Sequence, residues 1–187
     1  MKILVISDIH GSAYFLNKVL EIEKEYDYIV ILGDILYHGP RNDIPKGYNP
    51  KEVIEILNDR KNEIIAIRGN CDSEVDQMVL SFPILSDYST LLYENIRIFL
   101  THGHKFDKEY IVNILNDGDV VLSGHTHLIQ QESYKNILFL NPGSISIPKG
   151  EESNSYAIIE NSIFLIKNLS GTIIKSIDIK QRKMGGM

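Results

Sequence analysis

Lys2-Ile3-Leu4-Val5-Ile6-Ser7-Asp8-Ile9-His10-Gly11 is an apolar run that ends in an aspartate and a histidine two positions apart. A short apolar run rich in β-branched residues reads as a buried strand. On extended backbone, residues i and i+2 point to the same side. Asp8 and His10 are therefore expected to aim a carboxylate and an imidazole at one point just past the strand, a pairing suited to a metal ion.

The pattern recurs along the chain. Asp27–Asp34 is a second run, ending in Gly33-Asp34, and Glu63–Asn70 a third, ending in Gly69-Asn70. Ile96–Thr101 leads into His102-Gly103-His104, and Asp119–Gly124 into His125-Thr126-His127. Between the first runs the apolar spacing is helical. Ser12 can cap a helix from Ala13 to about Tyr26. Asn49-Pro50-Lys51-Glu52 is a strong helix start, and that helix is expected to reach about Arg60. Asp72 or Ser73 can cap a short helix through about Leu80, and another is expected near Lys108–Leu115. The second half is mostly strand. Leu91–Tyr93 pairs with Ile96–Thr101, and Leu128–Ser133, Asn136–Leu140, Ser155–Glu160, Ile163–Asn168 and Thr172–Ile179 follow. Hairpin turns are expected at Lys135-Asn136, Asn161-Ser162 and Ser170-Gly171, and a loop at Asn141-Pro142-Gly143-Ser144. The expectation is one α/β domain over residues 1–187: two packed sheets, the first mixed and partly parallel, with helices outside and a frayed tail at 181–187.

Composition narrows the function. With 19 basic and 25 acidic residues the net charge is -6, which argues against a general grip on nucleic acid or an anionic membrane. One cysteine excludes a disulfide framework and a thiolate zinc site. No apolar run approaches a bilayer span, and no signal-peptide pattern precedes the first strand, so a cytoplasmic protein is expected.

Parallel strands bring their carboxyl ends to one edge, where ligands bind in open α/β sheets. The side chains gathered there would be Asp8, His10, Asp34, Asn70, His102, His125 and His127. Each alone has an ordinary reading: Asp8 as a helix cap, Asp34 as a turn residue, Asn70 in a left-handed turn, the last two histidines as an exposed strand end. Together they exceed one tetrahedral zinc and suit two cations sharing a bridge. A nitrogen–oxygen set without thiolate points to Mn, Fe, Zn, Co or Ni. Phe15, Phe99 and Phe139 fit the core pattern.

Asp8-x-His10, Gly33-Asp34, Gly69-Asn70, His102 and Gly124-His125-x-His127 resemble, in order, the signature of the calcineurin-like metallophosphoesterases. The stretches His38–Asn42, Arg68–Met78 and Asn141–Ser144 are most similar to the small bacterial YfcE-type phosphodiesterases. The resemblance implies a four-layer αββα sandwich of two packed mixed sheets. It implies two divalent metals, manganese foremost. Asp8, His10, Asp34 and His127 would hold the first metal, and Asp34, Asn70, His102 and His125 the second, with Asp34 as bridge. A water or hydroxide between the metals would attack a small-molecule phosphodiester.

The chain departs from the superfamily at Cys71, where most members have a histidine that serves the leaving group or a phosphoryl oxygen. A thiol is a poorer donor, so diesters with good leaving groups are expected substrates. A Cys71 nucleophile and an inert buried Cys71 are the other readings. Arg41, Asn42 and His104 are candidate substrate contacts, and Ser144 a similar loop residue. The rival functions are a phosphomonoesterase or phosphoprotein phosphatase, and a non-catalytic protein-binding scaffold on the same fold. Exposed edge strands in the second half would allow a homo-oligomer.

Overall fold

The structure, a computed structural model, describes residues 1–151 and 153–180; the tail expected to fray lies outside them. In chain order the elements are β1 Ile3–Ile6, α1 Ala13–Ile22, β2 Tyr28–Ile31, α2 Pro50–Asn58, β3 Ile64–Ala66, α3 Glu74–Val79, β4 Tyr88–Tyr93, β5 Ile96–Thr101, α4 Lys108–Ile114, β6 Val120–Leu122, β7 Ile129–Tyr134, β8 Ile137–Pro142, β9 Ser155–Glu160, β10 Ile163–Asn168 and β11 Ile173–Asp178. One sheet has the order β11-β10-β9-β1-β2-β3 and the other β4-β5-β6-β8-β7. β1, β2 and β3 run parallel, as do β5, β6 and β8, while the flanking strands pair antiparallel.

The period-two alternation of the strands sorts their side chains into layers. Leu4, Ile6, Ile29 and Ile31 pack with Leu16, Val19, Val53 and Leu57 of α1 and α2. Ile3, Val5 and Val30 face the other way and meet Ile98, Leu100, Val120 and Leu122 of the second sheet. On that sheet's far side, Phe99, Val121 and Phe139 pack against Ile111 of α4. The result is the αββα sandwich. Phe99 and Phe139 are buried as expected, and Phe15 is partly buried against the first core.

Lys135 and Asn136 both have positive φ, as do Asn161 and Ser162, the geometry of tight two-residue hairpins. The turn after β10 is longer, and β10 and β11 slip register between Ile166 and Lys167. Three expectations are corrected. α1 ends at Ile22 rather than near Tyr26, because Glu23 is drawn into the interior as its C-cap. β4 begins at Tyr88, paired with Thr101, three residues before the apolar pattern starts. Asn141 and Pro142 belong to β8, opposite Gln130 and Ile129, so the loop begins at Gly143. Ser73, with Asp76, forms the capping box of α3, leaving Asp72 free for another partner. Among the described residues no helix is long and apolar enough to cross a membrane.

Glu23 ties α1 to three adjoining strands of the first sheet, through Tyr156 of β9, Lys167 of β10 and Lys2 just before β1. Its buried carboxylate accepts from Tyr156 Oη at 2.9 Å, pairs with Lys2 Nζ at 3.1 Å, and pairs with Lys167. Burial opposes ionisation, but Lys167, Tyr156 and Lys2 outweigh it and hold the carboxyl below its usual range. A depressed folded-state pKa stabilises the fold above the unfolded value of about 4.3, and the contribution is lost as pH falls through the folded value. Glu23→Gln is therefore expected to lower stability by about 2 kcal/mol near neutrality. Urea unfolding in chelator checks it: wild type loses stability on acidification below about pH 4.3, and the variant loses less.

Candidate metal centre

The seven predicted ligands converge on the edge formed by the carboxyl ends of β1, β2, β3, β5 and β6. They do not sit on extended backbone. The strands stop one to five residues short of them, and Asp8, His10, Asp34, His125 and His127 all have φ between 48° and 68°. Left-handed turns, rather than strand alternation, aim Asp8 and His10. Such conformations are costly for most residues and concentrate at functional sites. Backbone bonds between loops lock them: the amides of Asp8, His10 and Gly11 donate to the carbonyls of Gly33, Asp34 and Ile35. Gly33 and Gly69 lie back to back, and a Cβ on Gly69 would fall 2.1 Å from Asp34 Oδ1, so only glycine fits there.

Three imidazoles are oriented alike. Nδ1 of His10 faces the Tyr37 carbonyl at 2.8 Å, Nδ1 of His102 that of Leu32 at 2.6 Å, and Nδ1 of His127 that of Ile147 at 2.5 Å. A carbonyl can only accept, so each Nδ1 carries the proton and Nε2 points inward, the usual support of metal-binding histidines. His127 Nε2 lies 3.2 Å from Asp8 Oδ1 and 3.2 Å from His10 Nε2. His10 Nε2 is 3.7 Å from Asp8 Oδ1 and 3.7 Å from Asp34 Oδ2. His102 Nε2 is 3.5 Å from Asp34 Oδ2 and 3.1 Å from Asn70 Oδ1. Asp34 thus stands between the two groups. The His125 ring lies 5.1 Å from that of His102, and its amide donates to Asp8 Oδ2.

The electrostatics follow from this crowding. Burial opposes ionisation of Asp34, yet His102, the Cys71 amide and His10 hold its carboxyl far below the ordinary value. Burial also works against a charged His102, but Asp34 and Asp8 together push it up to about 9. His10 and His125 are lowered by burial. Asp8 Oδ1 is buried and has no hydrogen-bond donor. Carboxylate oxygens and inward ring nitrogens therefore gather around a space that only a proton or a cation can satisfy. The donor set fits divalent metal ions: hard carboxylate and amide oxygens with borderline imidazoles.

Five further residues support the centre or its mouth in ways the sequence did not indicate. Asp72 is buried and accepts from the amides of Asp34 at 2.9 Å, Ile35 at 2.8 Å and Gly69 at 2.7 Å. Burial pushes it up to about 6. Asn141 bonds the Gly124 carbonyl and Thr126 Oγ1, bracing the last ligand loop. Ser144 and Ser146 both donate to the Asp8 carbonyl, which makes Ser144 an anchor rather than a substrate contact. Lys149 reaches the mouth of the site from the same segment. A polar residue after an apolar strand was the only available signal, and it did not reveal these partners.

A pocket of about 340 Å³ opens over the centre, lined among others by Asp34, Asn70, Cys71, Arg41, Asn42 and Lys149. Arg41 is exposed at its rim. The side chain of Asn42 is engaged by its neighbours, with Nδ2 on the His38 carbonyl and Oδ1 receiving Lys149. His104 does not line the pocket; it lies edge-on to His102, 5.3 Å between centroids. Cys71 receives a hydrogen bond from Asn70 Nδ2 at 3.2 Å, and burial beside Asp34 pushes its thiol up to about 12. A raised thiol pKa weighs against the nucleophile reading.

A sequence profile of the calcineurin-like phosphoesterase superfamily domain matches residues 1–162. The chain is 48% identical over 168 residues to phosphodiesterase YfcE of Escherichia coli K12, covering 89% of this chain and 91% of that protein. A solved structure of the E. coli phosphoesterase YfcE matches with a TM-score of 0.91 at 47% identity, over 96% of this chain and 100% of that one. Vps29 of Cryptosporidium parvum shares the fold, with a TM-score of 0.66 at 17% identity over 95% and 97% of the two chains. Ordered motifs, a donor-lined pocket and these likenesses agree: the chain belongs to the calcineurin-like phosphoesterase superfamily.

Proposed function

We propose that the whole chain is one metallophosphoesterase domain, a binuclear metal phosphodiesterase acting on small-molecule diesters in the cytoplasm. The observation that carries this reading is the convergence of seven donors around Asp34, with Asp8 Oδ1 buried and unpartnered among inward-facing ring nitrogens. Asp8, His10, Asp34 and His127 would hold one ion, and Asp34, Asn70, His102 and His125 the other. Such ions, manganese foremost, supply an acidified water for in-line attack and neutralise charge on the phosphoryl oxygens. The residues of the chain set the rest. Asp34 offers two oxygens and a negative charge, which lets it bridge where an imidazole cannot. Asn70 contributes a neutral oxygen held toward His102. Cys71, a protonated thiol, is a weak donor where a leaving group would depart, which favours diesters whose leaving group needs no proton.

The complete donor set favours an enzyme over the scaffold reading, since a binding surface alone needs no such convergence. The test is hydrolysis of bis(p-nitrophenyl) phosphate with added Mn²⁺ and after chelation, beside p-nitrophenyl phosphate as monoester. Turnover is expected only with metal, and the diester is expected to be cleaved faster. Cys71→His is expected to raise the monoester rate on the order of tenfold, within the reach of a general acid. Absence of metal-dependent turnover across several diesters favours the scaffold, and a faster monoester favours a phosphomonoesterase.

A further inference from the structure

We infer that Lys149 and Arg41 form an anion subsite at the mouth of the metal-centre pocket, and that the substrate is a phosphodiester with an ester arm carrying a second anionic group, phosphate or carboxylate. This rests on the phosphodiesterase reading above and extends it to the substrate's other arm.

Lys149 is delivered to the pocket by tethers to the metal ligands themselves. Ser144 and Ser146 bind the Asp8 carbonyl, Ile147 receives His127 Nδ1, and the Lys149 amide donates to the His127 carbonyl at 3.2 Å. The ammonium is then held by Asn42 Oδ1 at 3.2 Å, and Asn42 is itself held on the His38 carbonyl at 2.8 Å. Two loops far apart in sequence cooperate to hold one lysine at the opening.

Among the described residues the charge at this opening has no carboxylate counterpart. Lys2, Lys105, Lys108, Lys135, Lys167 and Lys180 each pair with a carboxylate. Among the described residues Lys149 has only a neutral amide partner for its ammonium. Arg60, Arg68 and Arg97 are each bonded, whereas Arg41 has no hydrogen bond or ion pair among the described residues. Among the described residues Asp34 is the sole carboxylate lining the pocket, and it faces inward to His102 and His10. In a chain of net charge -6, two cations with no carboxylate partner among the described residues, placed over one pocket, mark where negative charge is expected. A diester phosphoryl group carries a single charge, and its oxygens would belong to the metal centre below. The cations at the rim are left for a further anion on the ester arm, and Arg41 can bind phosphate or carboxylate through two parallel hydrogen bonds.

The experiment compares three p-nitrophenyl phosphodiesters with the same leaving group: a propyl arm, a 3-carboxypropyl arm and a choline arm. Wild-type protein loaded with Mn²⁺ is expected to prefer the carboxylate arm to the propyl arm by roughly fivefold or more in kcat/KM, chiefly through KM, and to take the choline arm worst. The preference is expected to shrink at high salt. Lys149→Gln is expected to flatten the series, and Lys149→Glu to move it toward the choline arm, with bound metal unchanged by elemental analysis. A merely structural lysine would raise KM for all three arms alike, and that result overturns the subsite. Equal wild-type kcat/KM on all arms overturns it as well. In both of those cases turnover itself leaves the phosphodiesterase reading intact. No turnover on any arm sinks both.

Discussion

Asp34→Asn is expected to abolish the proposed binuclear centre, lowering kcat/KM toward bis(p-nitrophenyl) phosphate by at least roughly 10²–10³-fold and leaving fewer than two metals bound. Asp34 faces both donor groups with one oxygen: Oδ2 lies 3.7 Å from His10 Nε2 and 3.5 Å from His102 Nε2. Its Oδ1 is already committed to the Cys71 amide at 2.7 Å. An asparagine must keep its oxygen on that amide, or a donor would meet a donor. The amide nitrogen would then replace Oδ2, turning the shared acceptor into a donor without charge. The fold should survive, because asparagine tolerates the left-handed conformation that Asp34 adopts at φ 56°. Metal stoichiometry, turnover and circular dichroism together check the prediction. Full activity with two bound metals in this variant would refute the proposed site.

Asp72→Ala is expected to cost on the order of 3 kcal/mol and to weaken metal binding by roughly 10- to 100-fold, although Asp72 is not a proposed ligand. Its two oxygens satisfy three buried amides, those of Asp34, Ile35 and Gly69. Removing the carboxylate strands all three, at about 1–3 kcal/mol each before relaxation. The relief of burying a carboxylate whose pKa has risen to about 6 offsets part of that cost. The same amides fix the loops bearing Asp34 and Asn70, so the stability loss and the affinity loss share one origin. For a chain of this size the melting temperature is expected to fall by roughly 10 °C. Calorimetry in chelator gives the first number and metal titration the second. Asp72→Asn, which keeps one acceptor, is expected to fall between wild type and Ala. An Ala variant with wild-type melting and wild-type metal affinity would contradict the role assigned to Asp72.

Much of the fold was legible because it rests on local rules. Val30 between Ile29 and Ile31 reads as a doubly buried strand in any context, and it faces the opposite core from its neighbours. Asn49 and Pro50 start a helix by capping chemistry alone, and Asn161-Ser162 turns a hairpin because its flanking strands alternate. The candidate ligands were legible because a carboxylate, amide or imidazole after each apolar run has few other uses when the event repeats. Their backbone was not, since left-handed φ at Asp8 and His10 is imposed by bonds to Gly33, Asp34 and Ile35 from the next strand's loop. Asp72 looked like one of two caps for α3. Ser73 takes that role, and Asp72 turns to amides 37 and 38 residues away.

By itself the sequence determined the strands, the helix starts, the family and the seven candidate donor side chains, because hydrophobic period, capping and residue chemistry act over a few positions. Only the tertiary structure decided how those side chains are aimed and what supports them. It alone placed Lys149 against Asn42, 107 residues earlier, at the mouth of the pocket. Contacts at such separation depend on how two sheets pack and where their loops meet, and no local pattern encodes that meeting.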